Sequence, residues 1–221
     1  MTGSLLPRFD LIIFDWDGTL YRSIDLIEAS IVAAGQSVGR QISSSVARHI
    51  IGLGLKAAQS ILFPGEQPDE KFLREFHLAY RRHYEAQEKD LSLYPGAYEL
   101  VRDLADQGAR IAVATAKSRS GINSAMAATG LDRYVSWSRT PEECRPKPNP
   151  QMIDEIVLEA RAEKARTLMV GDTTHDLAMG LNAGVHIAGL CHGAHTEPEL
   201  SNLNPLVLCN DIAALRRALL S

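Results

Sequence analysis

Residues 110 to 220 alternate short apolar runs with segments of helical spacing, and that rhythm limits the chain to few architectures. The runs "RIAVAT", "YVSWS", "RTLMVG", "HIAGL" and "LVLC" are separated by "SGINSAMAATG", "PQMIDEIVLEARA" and "HDLAMGLNAG", and "DIAALRRALL" follows the last of them. Strands such as "IAVA" and "LMVG" show no polar alternation, as expected where helices cover both faces of a parallel sheet. The spacing predicts an α/β fold, a doubly wound, Rossmann-like parallel sheet. Ligands of such sheets gather at the carboxyl ends of the strands.

An earlier strand, "LIIF" (residues 11 to 14), is cut off from this pattern by a long helical stretch reaching to about residue 90. "SIDLIEASIVAAG", "SSSVARHIIG", "LKAAQSILF" and "DEKFLREFHLAYRRHYEAQEKD" each carry apolar residues at three and four spacing, with Ser or Asp placed to cap and Gly placed to terminate. They predict a small helical bundle. After it, "LYPGAYELVRDLADQG" opens a helix behind a Pro-Gly turn, and "CRPKPNP" is too short for a linker and reads as a rigid loop before a helix.

Polar residues follow the apolar runs at four places: Asp15 and Asp17 after "LIIF", Thr115 after "IAVA", Lys147 beyond "YVSWS", and Asp172 with Asp176 after "LMVG". If the extended conformation continues to Asp17, the first two carboxylates share one face and repel each other. A shared proton, a basic partner or a divalent cation would compensate. One lysine and one hydroxyl facing several carboxylates suit Mg²⁺ with a phosphoryl group better than a shared proton does.

Composition narrows the partners. The chain has 221 residues, is 45% hydrophobic and carries a formal charge of −4. That is ample apolar material for a core, and the scattered Lys and Arg give no footprint for nucleic acid or an anionic membrane. No apolar run approaches the ~18 residues of a membrane span, and the first ten residues lack a leader pattern. A soluble, cytoplasmic protein is expected. Cys144, Cys191 and Cys209 are widely spaced, so neither a disulfide framework nor a structural zinc site is expected, and "CHGAH" (Cys191, His192, His195) lacks a second ligand pair.

Over nearly its whole length the sequence resembles the haloacid dehalogenase-like hydrolases, and within them the phosphoglycolate phosphatase-like branch. "DWDGTL", "VATAKSR", "RPKPNP" and "GDTTHD" resemble the family's four motifs in the family's order. The resemblance implies a Mg²⁺-dependent phosphatase of a small phosphorylated metabolite, with Asp15 as nucleophile and Asp17 as general acid/base. Thr115 and Lys147 would bind phosphate. Asp172, Asp15 and the Asp17 backbone carbonyl would ligate the metal, and Asp176 would support that shell. Residues 1–20 and 91–221 would form the core and residues 21–90 a helical cap, with "IIGLGL" (Gly52, Gly54) as its loop facing the site. Ala116 departs from the small polar or glycine residue many members carry there.

Taken singly, a DxD turn, a Thr after a strand or a Lys between prolines could each be structural, but four such features in order favour chemistry. A phosphosugar mutase would use the same residues while excluding water. Haloacid dehalogenation is disfavoured because Asp17 is present. A receiver-like or non-catalytic phospho-binding module would lack the helical insertion or a motif residue. His175 could touch substrate but reads as incidental, and Arg48, Lys56, Arg81 and Arg82 could meet an anionic substrate tail but read as solvated helix charges.

Overall fold

The computed structural model describes residues 4–221. Six parallel strands form one sheet: β1 (Leu11–Phe14), β2 (Arg110–Ala114), β3 (Val135–Arg139), β4 (Thr167–Gly171), β5 (His186–Leu190) and β6 (Val207–Cys209), in the order β3-β2-β1-β4-β5-β6. The predicted doubly wound sheet is present. Phe14 lies opposite Val113 on one side and Val170 on the other. The chain moves outward from β1 to β3, returns to β4 beside β1, and moves outward again. The strand order reverses at the β1/β4 pair, where such sheets open a crevice.

Alternate residues of the strands feed two separate cores. Ile12, Phe14, Val113 and Val170 pack with residues of α5 (Ala97–Asp106), α6 (Arg119–Thr129) and α10 (Ile212–Leu220), whereas Leu11, Ile13, Ala112 and Met169 pack with α7 (Gln151–Ala160) and α8 (Thr174–Ala183). Burial on both faces accounts for strands that show no polar alternation.

Helices α1 (Ile24–Ser37), α2 (Ser44–His49), α3 (Gln59–Leu62) and α4 (Glu70–Glu85) come between β1 and α5. They enclose a third core that includes Ile27, Ile31, Phe63 and Phe76. Phe76 stands edge-on to Phe63 with centroids 5.3 Å apart. Burial of a side chain of that size contributes about 1.5–3 kcal/mol. Ser43 and Asp69 cap α2 and α4 by accepting from Val46 N–H and Phe72 N–H.

Three helical expectations need correction. The segment "LKAAQSILF" is helical only over Gln59–Leu62, because the preceding chain turns at Gly52 and Gly54 (φ +93° and +80°), which breaks helical continuity before residue 55. Helix α2 stops at His49 for the same reason. Ser23 does not cap α1, since its hydroxyl donates to Asp17 instead. One short helix went unpredicted: α9 (Glu197–Ser201) starts at a capping box of Thr196 and Glu199 with Pro in its first turn. Among the described residues no helix is long and apolar enough to cross a membrane.

Candidate active site

The carboxyl ends of β1 and β4 carry Asp15 and Asp172, side by side at the reversal of strand order. Between them the backbone has little room. Gly18 has φ +88°, and a Cβ there would lie 2.3 Å from Asp172 Oδ2 and 2.5 Å from Ile24 Cδ1. The "DGT" turn therefore needs glycine both for its backbone conformation and for the approach to Asp172.

Lys147 is 2% exposed and reaches two of the acids, with Nζ donating to Asp15 Oδ1 at 2.5 Å and to Asp176 Oδ1 at 2.6 Å. The other oxygen of Asp176 accepts from Thr173 N–H (3.0 Å) and Thr173 Oγ1–H (2.7 Å), closing the capping box of α8. Asp176 thus anchors the lysine and starts a helix at once. Asp172 is fixed by Thr19 Oγ1–H at 2.6 Å and by Ala194 N–H at 2.8 Å.

Ligand oxygens of Asp15, Asp172 and Asp176 all lie within 4.8 Å of one another, the sole such group of potential metal ligands among the described residues. Three buried carboxylates face one ammonium, so their ionised forms leave negative charge uncompensated. Burial, reinforced by the charge of Asp176, pushes the Asp172 carboxyl up to about 7 against the pull of Thr19, Ala194 and Lys147. Burial likewise raises the Asp15 carboxyl well above the ordinary range, opposed by Lys147 and assisted by Asp176 and Asp172. For Lys147, burial favours the neutral amine, but Asp15 and Asp176 outweigh it and hold the charge. An all-oxygen donor set short of positive charge fits a hard divalent cation such as Mg²⁺.

Asp17 lies apart from that group. Its Oδ1 accepts from Ser23 Oγ–H at 2.7 Å and from Lys117 Nζ at 3.4 Å. The repulsion expected between two carboxylates on one face is avoided, because strand β1 ends at Phe14 and each aspartate finds its own lysine. Thr115 is buried one strand over, and its hydroxyl accepts from Lys117 N–H at 3.1 Å. Lys117 stands inside the motif "VATAKSR", yet nothing in its spacing revealed that it faces Asp17.

The loop after α2 lies against the core. A Cβ on Gly52 would come within 2.9 Å of Thr173 Oγ1, and one on Gly54 within 3.9 Å of Ala116. The His49 carbonyl faces His175 Nε2 at 3.2 Å and His195 Nε2 at 3.1 Å. His195 Nδ1 accepts from Thr174 N–H at 3.0 Å. His175 and His195 are thus bound in contacts between the helical insertion and the core, which the sequence did not disclose. His192 Nε2 approaches Thr19 O at 3.3 Å, and Cys191 is a free thiol. Arg48 pairs with Glu28 at 3.0 Å, Arg81 lies 4.0 Å from Glu85, and Lys56 and Arg82 are exposed.

A parallel sheet with its acids at the strand reversal, and a helical insertion directly after β1, define the class. Residues 12–190 match the haloacid dehalogenase-like hydrolase family, and the chain belongs to it. A relative named "Probable phosphatase IndB", from Dickeya dadantii, is 33% identical over 205 residues, covering 90% of this chain and 88% of the relative. "Pyrophosphatase PpaX" of Halalkalibacterium halodurans is 29% identical over 201 residues, covering 90% and 91%. A crystal structure of a predicted phosphoglycolate phosphatase from Haemophilus somnus superposes with a TM-score of 0.82 at 25% identity, covering 94% of this chain and 96% of that one.

Proposed function

We propose that the protein is a phosphatase of a small phosphorylated metabolite, with phosphoglycolate as the reference substrate, working through a phosphoryl group carried on Asp15. The observation that carries this reading is the separation of the two aspartates. Asp15 is buried against Lys147, and Asp17 is turned toward Ser23 and Lys117. One environment suits a nucleophile beside a phosphate-binding cation, the other a group that moves protons.

Asp15 attacks phosphorus, forming an acyl phosphate as the bond from phosphorus to the leaving oxygen breaks. Asp17 gives its proton to that oxygen. It then takes a proton from water, whose oxygen attacks phosphorus, breaks the bond to Asp15 and frees phosphate. Lys147 neutralises developing charge on the phosphoryl oxygens, and the Thr115 hydroxyl binds one of them. Asp15 and Asp172 would hold Mg²⁺, together with the Asp17 carbonyl, and Asp176 would support them. When bound, the ion supplies charge neutralisation for the transferred group. Residues 21–90 serve as a cap over the core formed by residues 91–221 and, of the expected 1–20, the described residues 4–20, with the Gly52–Gly54 loop turned to the site.

The test is phosphate release from a panel of phosphorylated metabolites, with and without Mg²⁺. The panel includes phosphoglycolate, sugar phosphates and, because one relative is named a pyrophosphatase, pyrophosphate. Metal-dependent release from at least one member is expected, and its loss in Asp15→Asn. Release from none, or isomer formation in place of release, contradicts the proposal.

A further inference from the structure

Lys117 is the second lysine at this site, and the proposed chemistry leaves it without a role. Its side chain is only 9% exposed. Nζ donates to Tyr84 Oη at 2.8 Å, lies 3.4 Å from Asp17 Oδ1 and 3.7 Å from Glu88 Oε1, and sits 4.7 Å from the Tyr84 ring centroid. Its backbone N–H is tied to Thr115 Oγ1. One ammonium thus joins the loop after β2, the loop after β1, and the far end of the helical insertion.

We infer that Lys117 is a positioning residue for Asp17, and that Tyr84 and Glu88 set how tightly it holds that carboxylate. The inference rests on the phosphatase reading of Asp15 and Asp17. Its physical basis is the inequality of the contacts. A charge-assisted N–H to carboxylate bond ordinarily closes to about 2.7–2.9 Å. Here the short contact goes to neutral Tyr84 and the long one to Asp17, so the ammonium is drawn off the carboxylate. Tyr84 is mostly buried, and burial with the nearby Asp17 charge raises its pKa, so its hydroxyl stays neutral. Tyr80, stacked on Tyr84 at 5.9 Å, holds the ring.

Two failures are then distinct. Without Lys117, Asp17 keeps only Ser23 and loses its fixed orientation. Without the Tyr84 hydroxyl, the ammonium closes on Asp17 Oδ1 as a tight ion pair and pulls the carboxylate out of the orientation in which it is presented to the leaving group. Because Tyr84 and Glu88 belong to the insertion, the arrangement seen here exists only while the insertion is docked. Proton transfer at Asp17 is thereby tied to cap position.

The test compares phosphoenzyme formation by rapid quench with two esters. One is p-nitrophenyl phosphate, whose leaving group needs no proton. The other is the alkyl phosphate that the wild-type protein hydrolyses fastest. Lys117→Met and Tyr84→Phe should each slow the alkyl reaction by on the order of tenfold to a hundredfold while changing KM little and sparing the aryl reaction. Lys117→Arg should recover part of the loss. Circular dichroism and Tm identify any variant that fails to fold, and Tyr84→Phe, which keeps the ring, provides the second route. Equal slowing of both esters, or loss confined to KM, overturns the inference and leaves the phosphatase reading intact. Wild-type protein that turns over neither ester overturns both.

Discussion

Asp15 and Asp17 stand two residues apart and bind different lysines: Lys147 Nζ lies 2.5 Å from Asp15 Oδ1, and Lys117 Nζ lies 3.4 Å from Asp17 Oδ1. The first pair is buried at the strand reversal, and the second faces the helical insertion. This division of partners makes distinct roles for two identical side chains physically reasonable.

Removal of Lys147 exposes what it holds together. Lys147→Met strands Asp15 and Asp176 as buried acids without their cation, a change that typically costs about 3–5 kcal/mol. Urea unfolding should show a loss of that order, smaller in acid where the raised Asp15 carboxyl protonates, and phosphatase activity should vanish. Wild-type stability together with wild-type turnover would contradict the role given to Lys147.

A pH dependence follows from Asp172, whose carboxyl is pushed up to about 7 by burial and by Asp176. Its unfolded value is near 3.8, so between these values the folded state binds the extra proton. The stabilisation from this group is complete below the unfolded value and is lost as pH rises through about 7. A divalent cation needs the ionised form, so its stabilising effect should grow over the same range. Thermal unfolding in EDTA and in Mg²⁺ at about pH 5.5 and about pH 8 checks this. The rise in Tm from Mg²⁺ should be larger at the higher pH, and equal rises at both would count against the carboxylate cluster as the binding site.

Gly52 tests the contact between the insertion and the core. Its φ is +93°, and a Cβ would press on Thr173 Oγ1 at 2.9 Å, so Gly52→Val should disturb closure. If the closed cap recruits binding energy from the remote part of a metabolite, kcat/KM should fall more for that metabolite than for p-nitrophenyl phosphate. Equal losses on both would detach specificity from this loop.

Much of this arrangement was legible in the sequence because the sheet is buried on both faces. Apolar runs ending in Asp15, Thr115 and Asp172 marked strand ends, and the topology brought those ends together. Asp176 was legible as a supporting residue. Its grip on Lys147 was not, because the two are 29 residues apart and meet only in the folded core. Lys117 escaped for a similar reason: Tyr84 lies 33 residues upstream on a helix whose own periodicity reports its core face, not what its last turn touches. The helix expected at residues 55–63 shows the reverse error, where apolar spacing outweighed two turn glycines. Helix α9 carried its signal openly in Thr196, Pro198 and Glu199 but has a single buried residue, too few to show a period.

The central claim is that Asp15 becomes phosphorylated while Asp17 manages protons. With p-nitrophenyl phosphate, Asp17→Asn should form the intermediate readily and hydrolyse it slowly, because general acid/base loss of roughly 10² to 10⁴ falls mainly on the water-dependent step. Peptide mass spectrometry of quenched Asp17→Asn protein should find a phosphoryl group on the segment spanning residues 11 to 21, at Asp15, and Asp15→Asn protein should carry none. A phosphoryl group on Thr115, His175 or any other residue, or near-normal turnover by Asp15→Asn, would contradict the account.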